Sequence, residues 1–379
     1  MMNLLKSAIQ YELDSFYAEL MSQEIPHRAI TQSAFTQARK KLKYEAFVEL
    51  NDHAVSAFYE GAPIRRWHGY RLLAVDGSTL RLPNTPGVRN TFDAVEGEVP
   101  LGRLSELYDV MNHVMIGTEF SAMEMGEGFH AELLLPRAEK GDVVLYDRGY
   151  PSFYLMALHA KAGIDYCMRT PVGRFKPVTD FAASGALDAW VTITPCRTAK
   201  QDCLRNDLDI TPIRVRLIRV ELPSGEVEVL MTTLDEEVVA DEFAALYFKR
   251  WGIEEGYKHQ KCRAELENFS GKTVHSVYQD LFAKLLTINV SAMCAFAAEQ
   301  QAEQKTAHRK LNYQINRSKA LSKAKYHLVC AILNTQDRLE KLLSWIASDV
   351  EAVRPGRASV RDKPGRKKPG FHSSYKRNA

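Results

Sequence analysis

Four side chains that could bind phosphate or metal recur at helical spacing late in the chain. Tyr247, Arg250, Glu254 and Lys261 are separated by two, three and six residues. At about 100° per helical residue they fall within roughly 60° of one another, whereas Glu255 points to another side. Cations can bind phosphates, a phenol can donate a hydrogen bond, and a carboxylate can complete a site for a hard divalent cation. A surface helix with ordinary i,i+4 ion pairs would carry similar residues, so this helix alone leaves both interpretations open.

Two further carboxylates follow apolar runs that have the character of buried strands. The run LLAV precedes Asp76, and the run VVLY precedes Asp147. Because the carboxyl ends of neighbouring strands meet at one edge of a sheet, we expect these two acids to converge. Asp-Gly is a strong turn signal, so either aspartate taken alone is more often a turn former than a ligand. The pair becomes informative only together with a third acid such as Glu254.

The secondary-structure elements predicted around these acids are those of a mixed sheet. The strand containing LLAV is expected to end at Asp76, and two strands are expected around a turn at Asn112 and His113. A helix within HAELLLPRAEKG and a strand ending at Asp147 follow. The chain then alternates between a helix within PSFYLMALHAKAG and a strand within IDYCMRT. This order is typical of an α/β layered core.

Changes in periodicity divide the chain into six segments. The predicted order is a helical N-terminal region (1–66), a first part of the α/β core (67–173), a β-rich insertion (174–231), a second part of the core (232–300), a helical C-terminal region (301–352) and a basic tail (353–379). The insertion is predicted from a change of character between Pro171 and about Gly225, where no helix is obvious, and from the strand-like runs AWVTITP, IRVRLIRVEL and VEVLMTTL. After Asp235 the chain is expected to be helical almost to Val353.

The N-terminal region carries two runs of helical periodicity. Thr31, Gln32 and Ser33 precede the second run and are expected to cap it. The basic residues at positions 39–41 lie in that run. They predict either a DNA-binding helix or an ordinary solvated face.

Composition is that of a soluble globular protein, which we expect in the cytoplasm. Hydrophobic residues make up 45% of the chain and charged residues 26%. The longest apolar run, Leu285 to Ala298, is interrupted by polar residues and is shorter than the roughly 20 residues a bilayer span needs. We therefore predict a buried helix there and no membrane association. The six cysteines form no CxxC pair, which argues against a zinc site, and the N-terminus does not resemble a signal peptide.

The net charge of +3 conceals a basic C-terminus. Nine lysines and arginines and one aspartate lie between Val353 and Ala379, so the rest of the chain is net negative. A tail rich in proline, glycine and arginine cannot bury a core. It predicts binding to polyanions, or, in the plainer interpretation, a solubilising extension.

The spacing Tyr-x2-Arg-x3-Glu-x6-Lys resembles the YREK signature of a large group of bacterial insertion-sequence DDE transposases. More of the chain is similar to that group. VDGSTLRLP resembles its first catalytic block, VVLYDRGY its second, and ENFSGKT continues its third. SAFTQARKKL resembles its N-terminal helical region, and the Arg-Pro-Gly-Arg segment of the tail resembles its C-terminus. The similarity covers most of the chain in the expected order, and the signature spacing is its specific part.

The resemblance implies an RNase H-like catalytic core with a β-rich insertion between the second aspartate and the glutamate. It implies that Asp76, Asp147 and Glu254 hold two Mg²⁺ or Mn²⁺ ions, one activating a water or 3′-hydroxyl and the other stabilising the leaving oxygen. The other three residues of the signature would contact the DNA backbone near the scissile phosphate. Such proteins cut double-stranded DNA at the terminal inverted repeats of the element, often through a hairpin intermediate. They join the ends to target DNA, and we expect a homodimer working on the bacterial nucleoid.

Two other functions fit the same residues. One is a metal-dependent nuclease on the same fold that cuts without joining. The other is a DNA-binding relative that has lost catalysis, although the presence of all three acids argues against it.

Several secondary candidates stay open. Arg148 follows the second aspartate and could reach a phosphate or pair with an acid, and Arg169 is a weaker case of the same kind. Trp190 and Trp251 could stack on a displaced base, although a tryptophan in a core or interface is commoner. His130 and Glu132 are expected to be structural, and they complete the set of candidates.

Overall fold

The computed structural model describes residues 8–354, apart from 223–224 and 335. Its chain forms two compact units, each assembled from separate stretches. The helical unit takes described residues within 8–62, 80–101 and 258–354, and the sheet unit takes those within 63–79 and 102–257. The predicted basic tail lies outside the described residues from position 355 onward.

Helices dominate both ends of the described chain, and most strands lie in its middle. The strands are β1 (Arg71–Arg81), β2 (Leu101–Asp109), β3 (Val114–Ala122), β4 (Asp142–Tyr146), β5 (Asp165–Thr170), β6 (Asp188–Ile193), β7 (Ile213–Glu221), β8 (Val227–Thr232), β9 (Tyr313–Ile315) and β10 (Val350–Ala352). The helices are α1 (Ile9–Leu20), α2 (Gln32–Arg39), α3 (Glu45–Gly61), α4 (Pro86–Thr91), α5 (Glu127–Leu134), α6 (Phe153–Ala162), α7 (Lys176–Ser184), α8 (Arg197–Arg205), α9 (Phe243–Phe248), α10 (Trp251–Cys262), α11 (Val274–Thr306), α12 (Arg317–Asn334) and α13 (Gln336–Ile346).

A mixed sheet organises the sheet unit. Among the described residues it has eight strands in the order β3-β2-β1-β4-β5-β8-β7-β6. β4 pairs in parallel with both β1 and β5. The pairs β2–β3, β5–β8, β7–β8 and β6–β7 are antiparallel. Together with the helices at both ends of the chain, this sheet confirms the predicted mixed α/β class.

Apolar runs account for the central strands. All five residues of β4 are buried, as are the first five of β1, and burial on both faces is what a central parallel strand requires. Arg71 at the start of β1 is among them. Its guanidinium donates to Asp142 Oδ1 at 2.8 Å and Oδ2 at 2.6 Å. This two-pronged ion pair satisfies both charges where the two strands begin side by side.

The segment between Pro171 and Gly225 differs from its prediction. β6, β7 and β8 fall on the three expected strand runs and continue the same sheet beyond β5. The expectation of no helix is wrong, because α7 and α8 lie between these strands. α7 has a proline in its first turn, buries Val178 and Phe181, and is followed by Gly185 at φ 73°. Proline at the start and glycine after the end are ordinary helix boundaries, but nine residues are too few for a clear helical period.

The helical unit is built around α11. Helices α3, α12 and α13 pack against α11, and α1 packs against α2 and α12. Thr31 Oγ1 accepts a hydrogen bond from Ala34 N at 3.2 Å, which confirms the predicted cap of α2. The second N-terminal run forms two helices, α2 and α3. The expectation that the chain is helical from Asp235 almost to Val353 is wrong at β9 and β10, which pair as a short antiparallel sheet.

Helix α11 is, among the described helices, the one long and apolar enough to cross a membrane. The 18-residue stretch that qualifies has a mean hydropathy of 1.7, and 67% of it is buried inside the protein. Asn289 in α11 donates from Nδ2 to Asn51 Oδ1 of α3 at 2.8 Å. A buried amide paired with another helix of the same unit favours a core helix, as the sequence between Leu285 and Ala298 predicted.

Arg39 at the end of α2 does not belong to an exposed basic patch. Its side chain is buried and bonds to α11, from Nε to Gln279 Oε1 at 2.7 Å and from Nη2 to Asp280 Oδ1 at 2.9 Å. Including Arg39 in a solvated or DNA-facing surface is therefore wrong. The physical reason is that the Arg39 guanidinium pairs with the buried carboxylate of Asp280. Lys40 and Lys41, in contrast, are exposed.

Lys284 of α11 is a second buried cation in the helical unit. Its Nζ donates to the backbone oxygens of Glu265, at 2.8 Å, and Asn268. Burial lowers the pKa of Lys284 from 10.5 to about 8, a shift that the nearby Asp280 and Glu265 partly oppose. The lower pKa means that the folded protein releases the Lys284 proton at a pH where the unfolded chain still holds it.

Replacing Lys284 with methionine is expected to change how stability depends on pH. At pH values between the folded and unfolded pKa values, the unfolded chain binds one more proton than the folded protein. The contribution of Lys284 to the free energy of unfolding therefore rises with pH through this window. The free energy of unfolding of the native protein, relative to Lys284→Met, should rise by about 2 kcal/mol between pH 7 and pH 9.5. Urea unfolding at both pH values measures this. The exposed Lys305→Met variant on α11 is the control, and an equal pH trend in both variants would refute the assignment.

Candidate active site

Strand register brings Asp76 and Asp147 to neighbouring positions. Ala74 of β1 pairs with Leu145 of β4, and each acid lies two residues further along its own strand direction. Asp147 follows the end of β4 as predicted, but β1 continues past Asp76 to Arg81. The expected turn at Asp76 is therefore wrong.

Gly77 explains why the Asp-Gly pair is extended. A Cβ at position 77 would lie 2.7 Å from Glu127 Oε1, so the glycine permits a close approach of α5 and not a turn. The Glu127 carboxylate is held there by Arg103 Nη1 at 2.8 Å. A fourth acid thus lies beside the backbone that follows Asp76.

The electrostatics of Asp76 show that the three predicted acids influence one another. Burial raises the pKa of Asp76 to about 6, and the negative charges of Asp147 and Glu254 raise it too. Two contacts act in the opposite direction: the Gly77 N–H, which donates to Asp76 Oδ1 at 2.9 Å, and the Arg250 guanidinium. Carboxylates from β1, the end of β4 and α10 are therefore close enough to share an electrostatic field.

Asp147 begins a tight turn. Its Oδ1 accepts the Gly149 N–H at 2.7 Å, and a Cβ at position 149 would lie 3.1 Å from the same oxygen. The glycine thus lets the backbone approach the carboxylate closely. Arg148, between them, is exposed and makes no ion pair or side-chain hydrogen bond with any residue that the structure describes.

The signature helix is interrupted, which corrects the uninterrupted helix assumed from its spacing. α9 ends at Phe248 and α10 begins at Trp251. Around Arg250 the backbone bonds span three residues, from Arg250 N to Tyr247 O at 3.0 Å and from Ile253 N to Arg250 O at 3.1 Å. This tighter winding, followed by the weak helix former Gly252, separates the two helices. Tyr247 and Arg250 therefore precede the helix that carries Glu254.

Arg250 lies among the acids. It is 6% exposed, and its Nη2 donates to Glu254 Oε1 at 2.7 Å, while its Nη1 lies 4.0 Å from Asp76 Oδ2. The guanidinium carbon is 5.7 Å from the centre of the Tyr247 ring and 5.2 Å from that of Trp251. The structure thus brings Tyr247, Arg250 and Glu254 together with Asp76, despite the break in the helix.

The remaining candidates lie elsewhere or are engaged by other groups. Lys261 is half-buried near the end of α10, in the stretch that belongs to the helical unit. Arg169 pairs with Glu228 at 2.9 Å, which accounts for its charge. Trp190 Nε1 donates to Glu236 at 2.9 Å. Each ring nitrogen of the buried His130 forms a hydrogen bond with a serine hydroxyl at 2.8 Å. These contacts are structural, as expected for His130.

Two tyrosines near the acids were missed by sequence reasoning. Tyr257 Oη donates to the backbone oxygen of Asp76 at 2.7 Å, and so ties α10 to β1. Tyr150 is 4% exposed, and its hydroxyl has no hydrogen-bond partner among the described residues. Burial raises the pKa of Tyr150 well above its usual range, as do the charges of Asp76, Glu127 and Asp147. Tyr150 closes the DRGY block, so its position beside Asp147 was the available signal.

The acid cluster has the donor chemistry of a site for a hard divalent cation. Its groups are carboxylate oxygens, which Mg²⁺ and Mn²⁺ prefer. Burial is the main cause of the raised pKa of Asp76, and the smaller contributions of Asp147 and Glu254 show that negative charge is concentrated here. Among the residues that the structure describes, no three metal-binding side chains already lie close enough to hold an ion. Arg250 occupies part of that space. The donor chemistry therefore suits a hard divalent cation, while the observed arrangement places the Arg250 guanidinium beside Asp76 and Glu254.

Comparison with known proteins identifies the family. Residues 67–290 match the transposase DDE domain family, and this match covers more than half of the chain. The chain belongs to that family.

Individual proteins are similar to parts of this chain. The chain is 26% identical over 272 residues to transposase InsG of insertion sequence IS4 from Escherichia coli (strain K12). That alignment covers 69% of this chain and 60% of InsG, so the chain spans less than two thirds of that relative. It is 26% identical over 102 residues to the putative transposase InsZ of the same organism, covering 25% of this chain and 34% of InsZ. A cryo-EM structure of the piggyBac transposase synaptic complex with hairpin DNA aligns with 78% of this chain and 60% of that chain, at a TM-score of 0.42 and 9% identity.

Proposed function

We propose that the protein is a DNA transposase, which cuts the ends of an insertion sequence and joins them to target DNA. One observation carries the proposal: Asp76, Asp147 and Glu254 share an electrostatic cluster inside the segment that matches the family. The substrates are double-stranded terminal inverted repeats and a target duplex. The reaction consists of phosphodiester hydrolysis followed by transesterification.

The three acids would hold divalent metal, which we take to be two ions of Mg²⁺ or Mn²⁺. Bound metal of this kind polarises the scissile phosphate and lowers the pKa of the attacking water or 3′-hydroxyl. Asp76 and Asp147 are held by the sheet and its adjoining turn, through Gly77 N–H and Gly149 N–H. Glu254 approaches from α10. Two acids are thus anchored to the sheet, and one is carried by a helix.

The DNA backbone would be bound by the cations next to this cluster. Arg148 is exposed beside Asp147 and has no competing ion pair within the described residues, which supports a phosphate contact. Arg250, in the turn between α9 and α10, lies beside the acids, and Tyr247 near the end of α9 flanks Arg250. Lys261 lies seven residues beyond Glu254 along α10, and we propose that it also contacts the DNA backbone.

Joining two ends calls for two copies of the active site, so we propose a homodimer on DNA in the bacterial nucleoid. C2 symmetry is the commonest arrangement for such a pair. The C-terminal helices α12 and α13 are the proposed contact. Their exposed apolar side chains, Leu333 at 65% and Trp345 at 49%, support that choice.

Product analysis tests the proposed reaction. The protein is incubated with Mg²⁺ or Mn²⁺, a linear duplex that ends in the inverted repeats flanking the gene, and a supercoiled plasmid. A transposase gives repeat ends covalently joined to the plasmid, and Asp147→Asn gives neither cut nor joined DNA. Cut ends without joined products would replace the proposal with a nuclease. Binding without either product would indicate an inactive relative.

A further inference from the structure

Arg250 occupies an unusual place for a residue expected to bind DNA. It is 6% exposed, and it lies within ion-pair distance of Glu254 at 2.7 Å and Asp76 at 4.0 Å. Both carboxylates are proposed metal ligands. A guanidinium between them satisfies the same negative charge that a divalent cation would satisfy.

The hydrogen bonds and ion pairs of the Arg250 guanidinium are incomplete. A guanidinium has five N–H donors, and Nε is buried without a hydrogen-bond partner among the described residues. The ion pair with Asp76 is long, and the flanking rings of Tyr247 and Trp251 contact the guanidinium through their faces. A buried cation with unsatisfied donors is poorly stabilised compared with one in a complete network, so its displacement costs less.

We propose that Arg250 is a resident counter-ion of the acid cluster, which must leave Asp76 and Glu254 before these carboxylates can bind divalent metal. Arg250 then competes with the metal for the same oxygens, and the affinity for metal reflects the difference between the two cations. This inference rests on the proposed function, because it takes the acids as the metal ligands. It assigns to Arg250 a positioning role before any DNA is bound.

Metal affinity of the whole protein, without DNA, tests the competition. Mn²⁺ binding is measured by calorimetry and by the electron paramagnetic resonance signal of free Mn²⁺. Arg250→Gln removes the competing charge and should bind Mn²⁺ about tenfold more tightly than the native protein, the lower bound expected when a neighbouring charge within 4–6 Å is removed. Lys249→Gln makes the same change of charge one residue earlier and should alter the affinity less than about twofold.

Two further variants keep the outcome decisive. Arg250→Lys retains the charge but loses the fork that reaches both acids, so it should lie between the native protein and Arg250→Gln, and it replaces the latter if that variant fails to fold. Mn²⁺ affinity in the Arg250 variants equal to or weaker than in the native protein would overturn the counter-ion role. Asp147→Asn should lose Mn²⁺ binding, and this result supports the metal site whatever Arg250 does. If the folded native protein binds no Mn²⁺, both the site and the counter-ion role fail.

Discussion

Replacing Glu254 with glutamine is expected to abolish cutting and joining while leaving DNA binding nearly intact. The substitution removes one carboxylate charge from the proposed metal site but preserves the size of the side chain. Loss of a metal ligand removes several kcal/mol of transition-state stabilisation, which corresponds to a rate at least about 10³-fold lower. Phosphate contacts made by other residues dominate the affinity for DNA, so the dissociation constant should change by about twofold or less.

The neighbouring acid supplies a matched control. Glu255→Gln makes the same chemical change one residue further along α10, where the side chain is exposed. It should retain nearly full activity. Rates are measured as the formation of joined product under single-turnover conditions, with binding followed by fluorescence anisotropy. Comparable losses in both variants would contradict the choice of Glu254, as would normal activity of Glu254→Gln.

Replacing Arg39 with methionine is expected to destabilise the helical unit strongly. Arg39 donates to Gln279, Asp280 and the backbone oxygen of Ser276, and both members of its ion pair with Asp280 are buried. Removing the arginine leaves the Asp280 carboxylate buried without its cation, which typically costs about 3–5 kcal/mol. Urea unfolding monitored by far-ultraviolet circular dichroism measures the loss as a lower midpoint.

A variant at Lys40 distinguishes the stabilising role of Arg39 from a role in DNA binding. Lys40 is exposed next to Arg39, and Lys40→Met should change stability by less than about 0.5 kcal/mol. The double variant Arg39→Met with Asp280→Leu should be less destabilised than the sum of its single changes, because the two residues act as one pair. The assignment fails if Arg39→Met leaves the unfolding midpoint unchanged and lowers only the salt dependence of DNA binding.

The sheet could be predicted from sequence because its strands carry long apolar runs. LLAV lies in β1 and VVLY in β4, and the three strand-like runs predicted for the insertion correspond to β6, β7 and β8. The turn expected at Asp76-Gly77 is wrong because turn propensity is a local signal, whereas the glycine is required by the Glu127 side chain 50 residues later. Tertiary contacts of this kind override local preference.

The sequence predicts which residues form the candidate site, and the structure adds contacts within it that the sequence does not reveal. The helical phase that favours Glu254 over Glu255 assumes one helix from Tyr247 onward, whereas the tight turn at Arg250 interrupts it before both acids. Glu254 still contacts Arg250, and Glu255 is exposed. The burial of Arg250 could not be predicted, because no local sequence pattern shows whether an arginine pairs with a carboxylate in the interior or at the surface. The same gap affected Arg39, which reads as part of a basic surface in sequence and is a core ion pair in the structure. The catalytic roles themselves stay predictions.

The ladder between β5 and β8 limits how this protein can vary in length. Cys167 to Thr170 pair with residues of β8, so the strands of the insertion and those of the core form one hydrogen-bonded surface. Removing them would leave a buried strand with open backbone groups, a template for aggregation. Relatives that gain or lose residues here can do so most easily at the outer strand β6 and in the loops around α7 and α8. Variation in size should therefore accumulate at the far edge of the sheet, away from the acids.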